Sequence, residues 1–132
     1  MLRIKTSGTS TKVRTAVEDA GGRLLNVAGD GTFSTFDGPV AAVEAARVVL
    51  DMTSELGLAV RAGVHGGEVQ STGPDMSGMT VHVGARIGAM AGPGEILVSQ
   101  TVRDLVVGSG FSFAPHGKHS LKGVPGTWTL FS

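Results

Sequence analysis

His82 and Arg86 stand four residues apart in MTVHVGARIGAMA, a stretch that is otherwise apolar or small. On a helix that spacing places both on one face. Packing alone does not call for such a pair, because burying an unpaired guanidinium is costly. The face therefore meets either solvent or an anionic ligand, and arginine's planar fork of donors suits phosphate oxygens. Asp75 lies seven residues before His82, in the loop STGPDMSG that leads into this helix. Asp30 sits between Gly29 and Gly31 in LLNVAGDGTFSTFDGP. There G-D-G is a hairpin signal first, since glycine allows positive φ and aspartate favours turns. Alone it reads as a turn residue; beside the other polar groups it becomes a candidate functional carboxylate. Lys122, in SLKGVPG, reads as a solvated loop lysine unless a ligand claims it.

Other arrangements carry less. His65, His116 and His119 show no metal-ligand spacing with acidic partners, and read as surface or loop residues. Gly92-Pro93-Gly94 lacks the following Lys-Ser/Thr of a phosphate-binding P-loop. No Ser/His/Asp set suggests nucleophilic catalysis.

The elements that must position these residues follow from periodicity and turn signals. Met1 to Ile4 suggests a short edge strand. Val13, Ala16, Val17 and Ala20 share a face of a helix over 11–20 that Gly21-Gly22 ends. A hairpin spans 23–36. Pro39 opens a helix over 40–56, with Val43, Ala46, Val49 and Leu50 inward and Gly57 closing it. The run 59–70 alternates as a strand, with Val60, Ala62 and Val64 on one face and Arg61 and His65 on the other. A loop over 71–78 leads into a helix over 79–91, whose Val81, Ala85 and Met90 are available to the core. A continuous apolar strand at 95–99 fits a central position. A short helix over 101–107 and closing strands at 111–113 and 128–131, around a loop at 116–125, complete the chain. Two β–α–β units around an antiparallel hairpin predict an α+β sandwich of ferredoxin-like type.

Composition bounds the partners. At 132 residues, with no linker or composition break, the chain reads as one domain over 1–132, long enough to bury a core. Eleven Lys+Arg balance eleven Asp+Glu, which removes the electrostatic footprint of a general nucleic-acid binder. The absence of cysteine excludes disulfides and thiolate metal sites. Neither an apolar signal-type N-terminus nor a run of about 20 apolar residues is present, so the expectation is a soluble cytoplasmic domain without membrane partners.

Taken in order, GDGTFSTFDGP, an alanine-rich helix, AVRAGVHGGEV, VHVGARIGAMAGPGEILVS and SLKGVPGTWTLF resemble the catalytic domain of class III nucleotide cyclases, most of all its bacterial, actinobacterial-looking branch. The resemblance spans about Gly21 to Ser132. It implies a head-to-tail dimer with active sites at the interface. It also implies conversion of ATP or GTP to the 3′,5′-cyclic nucleotide and pyrophosphate with two Mg²⁺ or Mn²⁺ ions. Position by position, it makes Asp30 the second metal aspartate and Asp75 the acidic residue that reads the purine. Arg86 becomes the transition-state arginine, and Lys122 the lysine that holds the terminal phosphates. Asn26 stands where the family has a purine-reading lysine, and His82 where it has a ribose-orienting asparagine.

The N-terminal part, residues 1–20, departs further. Either Lys5 stands where the first metal aspartate belongs, or the family's first strand is missing; in both cases the first helix is clipped or lost. Two nearby divalent cations need shared anionic ligands, so the expectation is weak or absent turnover. The alternative is a non-catalytic module that dimerises or binds nucleotide. Partners implied are a nucleoside triphosphate and a second copy, or a cyclase chain in a heterodimer.

Overall fold

A computed structural model describes residues 2–5, 10–28, 31–55, 57, 60–66, 70–72, 75–77 and 79–132. For residues 3, 5, 10–12, 25–28, 70–72 and 75–77 the description is of the backbone. In chain order the elements are β1 (Leu2–Lys5), α1 (Ser10–Asp19), β2 (Arg23–Ala28), β3 (Gly31–Thr35), α2 (Pro39–Glu55), β4 (Arg61–Val64), β5 (Gln70–Thr72), β6 (Asp75–Ser77), α3 (Met79–Met90), β7 (Ile96–Ser99), α4 (Gln100–Leu105), β8 (Pro115–Ser120) and β9 (Thr127–Phe131). Seven strands form one sheet in the order β2-β3-β1-β4-β7-β9-β8, and β5 pairs with β6 in a separate ribbon.

β1 is a central strand, antiparallel to β3 on one side and β4 on the other. The expectation of an edge strand is thereby corrected, and so is the alternative that the first strand is missing. Its four residues are too short to advertise a central position, yet Leu2 and Ile4 are fully buried. With β2, β3 and β4 it makes the β–α–β–β–α–β arrangement of a ferredoxin-like sheet, which β4–α3–β7 extends by a parallel crossover.

Each face of the sheet has its own core. Leu2, Ile4, Ala62 and Val64 pack with Val13 and Val17 of α1 and with Ala45, Ala46 and Val49 of α2. Small residues bring α2 close to the sheet, and the buried Thr53 hydroxyl donates to Val49 O at 2.7 Å. On the opposite face Val83, Ile87 and Ala91 pack with Leu97, Leu130, Leu121 and Val124.

α3 buries Thr80, Val83, Gly84, Ile87 and Gly88. The expected inward set, Val81, Ala85 and Met90, is corrected: Val81 and Ala85 are half-buried and Met90 is exposed. Hydrophobicity points at the larger residues, whereas the sheet selects the face with glycines. A Cβ on Gly63 of β4 would stand 2.7 Å from Gly88 Cα and 2.9 Å from Gly84 O. Backbone meets backbone there, which only glycine permits.

Three more boundaries differ. The regular strand expected over 59–70 ends as β4 at Val64, and part of the expected 71–78 loop is the β5–β6 ribbon. The last hairpin partner is 115–120, not 111–113: Phe111 and Phe113 pack against the α1–α2 core instead. β8 is an edge strand bonded only to β9 in this sheet, so its sequence, PHGKHS, is polar and carries no apolar alternation.

Candidate nucleotide site

α3 and the β8–β9 loop meet at His82. Val83 and Ile87 anchor one side of the helix in the core, leaving His82 and Arg86 half-buried on another side. The loop is pinned by Leu121 and Val124, both buried, and by the Val124 N–H donating to Leu121 O at 3.0 Å. Between these anchors Lys122 is held exposed. The next residue, Gly123, has φ +78°, and a Cβ on it would lie 3.0 Å from His82 Nε2. The His82 ring therefore rests against the loop backbone one residue from Lys122. Trp128 Nε1–H closes the far side of the loop by donating to Pro125 O at 3.2 Å.

The remaining sequence-expected residues fall as follows. Asn26 is on β2, paired with Phe33 just after a register shift that follows Leu24, and Asp75 begins β6. β6 approaches both β2 and α3, so the backbones of Asn26 and Asp75 belong to neighbouring elements beside the helix that carries His82. Asp30 lies outside the described residues. The register on either side of it pairs Ala28 with Gly31.

Gly31 in turn pairs with Lys5, and Lys5 with Arg61 across β1. That rank of residues stands at the N-terminal end of β4. α3 runs back along β4 as a crossover helix, and His82 precedes the Gly84–Gly88 contact with Gly63. Helical and strand rises place His82 about 12 Å from the Lys5 rank along the strand direction alone. His82 and the loop that carries Lys122 thus meet at one place, and the Lys5–Gly31 rank lies at another.

Sequence reasoning overlooked three groups. His65, expected at the surface, is buried. Its Nδ1 shares a 2.8 Å hydrogen bond with Ser99 Oγ, which also accepts from the Val102 N–H at 3.4 Å as the N-cap of α4. Its ring meets Trp128 edge-on at 5.4 Å. Burial, above all, lowers the His65 pKa to about 4, because the charged imidazolium loses its hydration. His116 and His119, also expected at the surface or in a loop, are half-buried on β8 with ring centroids 5.1 Å apart. Gly123 carried no signal at all beyond being a loop glycine.

Residues 39–132 match the family model for the adenylate and guanylate cyclase catalytic domain. This chain belongs to that family. A protein of Rhizobium meliloti (strain 1021), provisionally named adenylate cyclase 3, is 30% identical over 112 residues, covering 78% of this chain and 19% of its own length. An uncharacterized protein of Mycobacterium tuberculosis (strain H37Rv) is 34% identical over 113 residues, covering 84% of this chain and 29% of its own length. The chain thus spans less than a third of the length of these relatives. An adenylate/guanylate cyclase/hydrolase crystal structure from Silicibacter pomeroyi superposes with a TM-score of 0.86 at 19% identity, covering 98% of this chain and 93% of that one. The catalytic core of a rhodopsin-guanylyl cyclase with converted specificity, bound to ATPαS, gives 0.84 at 16% identity, with 98% and 90% covered. The fold is therefore the α+β sandwich of class III cyclase domains.

The residue on β1 next to the Asp30 hairpin is a cation, Lys5, and its cross-strand partners are Gly31 and Arg61. Among the described residues no three His, Cys, Asp or Glu side chains converge on a metal position.

Proposed function

We propose that this domain binds a nucleoside triphosphate, ATP or GTP, between two head-to-tail copies, and that its conversion to the 3′,5′-cyclic nucleotide and pyrophosphate is weak or lost. The observation that carries this reading is the contact of His82 with Gly123. It joins the helix that carries Arg86 to the loop that carries Lys122, and in this reading both cations offset a polyphosphate's charge. In this reading Arg86 and Lys122 hold the phosphates and His82 orients the ribose. Asn26 and Asp75, on the adjoining β2 and β6, meet the purine. The offset between the His82 cluster and the Lys5 rank favours a second chain, whose Asp30 hairpin would meet the first chain's cations.

Lys5 favours a second reading: a non-catalytic member that binds nucleotide or dimerises, and that acts through a partner. A heterodimer with a cyclase chain that carries the missing carboxylate belongs to this reading.

The deciding measurement is cyclic nucleotide formation from ATP and from GTP with Mn²⁺ at high protein concentration, with Asp30→Ala and Arg86→Ala as blanks. Nucleotide binding and sedimentation are followed in parallel. Product above both blanks supports a working cyclase. Nucleotide binding that Arg86→Ala abolishes, without product, supports the binding module. Absence of both binding and product, in a well-folded dimer or monomer, sinks the site.

A further inference from the structure

The edge strand β8 contains His116 and His119, three residues apart. In a regular strand that spacing sends two side chains to opposite faces. Here the pairing shifts between Pro115 and Gly117, which partner Phe131 and Leu130, so that His116 is an extra residue against β9. Gly117 takes φ +90°, which a β-bulge exploits to re-aim a side chain. The result is that His116 Nδ1 and His119 Nε2 face each other at 3.1 Å.

Protonation states follow from the neighbours. His119 Nε2 lies 2.8 Å from the His116 carbonyl oxygen, which only accepts, so His119 carries its proton on Nε2. The other nitrogen of His116, Nε2, faces Glu95 Oε1 at 3.9 Å. The Glu95 carboxylate is itself held by the Gly92 N–H at 2.9 Å. Because His119 Nε2–H faces His116 Nδ1, that nitrogen accepts and the His116 proton sits on Nε2, towards the Glu95 charge. At 3.9 Å the carboxylate acts on the ring through its charge and not through a hydrogen bond. Two imidazole nitrogens on a tetrahedral Zn²⁺ stand about 3.4 Å apart, close to the spacing already present.

We propose that His116 and His119 form a surface site for an imidazole-seeking divalent ion such as Zn²⁺, Ni²⁺ or Cu²⁺, with Glu95 as the positioning residue behind His116. The ion takes the place of the His119 Nε2 proton, which moves to Nδ1 of the same ring, so only one histidine changes tautomer. No third His, Cys, Asp or Glu side chain joins them among the described residues, and the other coordination positions fall to water. Mg²⁺ and Mn²⁺ prefer oxygen donors and compete poorly for such a pair. The site is therefore separate from any nucleotide-linked metal, and its test needs no nucleotide.

The test is Zn²⁺ titration of the chelator-stripped full chain by calorimetry in excess Mg²⁺, together with electron paramagnetic resonance of the Cu²⁺-loaded protein. The expected result is one high-affinity ion per chain. Its affinity falls at least tenfold in His116→Asn and in His119→Asn, and by a smaller factor in Glu95→Gln, which removes only a charge near His116. Nitrogen couplings from two imidazoles are expected in the wild-type Cu²⁺ spectrum. Binding that survives both histidine substitutions, or no saturable binding at all, overturns the proposal. Should either variant misfold, a wild-type Cu²⁺ spectrum without two-imidazole coupling overturns it equally.

Discussion

The imidazole of His82 rests against the backbone of Gly123, and that contact links the helix carrying Arg86 to the loop carrying Lys122. It holds only because Gly123 has no side chain and adopts φ +78°. Gly123→Ala adds a Cβ 3.0 Å from His82 Nε2 in a left-handed conformation. The expected cost is about 1 kcal/mol of stability, read by chemical denaturation, with a fall in ATP or GTP affinity read by calorimetry. Unchanged affinity in a folded Gly123→Ala protein would separate the loop position from nucleotide binding.

Lys122 is exposed between two buried anchors, so its removal is expected to leave the core untouched. Lys122→Ala should change unfolding stability by less than about 0.5 kcal/mol. It should nevertheless weaken triphosphate binding at least tenfold, and monophosphate binding much less. Equal losses for both ligands would remove Lys122 from the terminal phosphates.

Gly63 is the tightest point between sheet and helix, because a Cβ there meets the backbone of Gly84 and Gly88 rather than a side chain that can turn away. Gly63→Ala is expected to destabilise the fold by about 3 kcal/mol through overpacking, seen as a lowered denaturation midpoint. A loss below about 0.5 kcal/mol would mean that α3 lifts off β4 without cost.

His65 makes stability depend on pH. Its folded pKa, about 4, lies below the ordinary histidine value of 6.5, so the folded state favours the neutral ring. Its contribution is therefore complete above pH 6.5 and is lost as pH falls towards 4, a change on the order of 3 kcal/mol. His65→Gln cannot titrate, and its stability should fall less steeply across that window in urea melts at stepped pH. Parallel pH slopes in the two proteins would show that His65 is not the responsible group.

Asp30→Ala is expected to cost no more than about 1 kcal/mol, as a replaceable turn residue, while abolishing any metal-dependent nucleotide binding. An unfolded Asp30→Ala protein, with no nucleotide binding in the wild type, would make the aspartate structural.

Much of this molecule was legible from its residues in order. Local rules suffice for the helices opened by Pro39 and stopped at Gly21 and Gly57, for the Arg23–Phe36 hairpin, and for the apolar β7, because periodicity and turn chemistry act within a few residues. The family resemblance, carried by ordered motifs, was legible as well, and so was the pairing of His82 with Arg86 on one helix face. What lay beyond the sequence depends on distant segments meeting. Leu2–Lys5 becomes a central strand only because β3 and β4 supply hydrogen bonds on both sides. The glycine face of α3 turns inward only because Gly63 lies opposite it. His65 is buried by Ser99 and Trp128, which follow it by more than thirty residues. His116 and His119 face one another through a bulge that pairing with β9 creates. Sequence alone determined the helices, the Arg23–Phe36 hairpin, β7 and the family they serve. Tertiary structure decided which faces are buried and which side chains touch, because burial and hydrogen bonding are properties of a residue's neighbours in space.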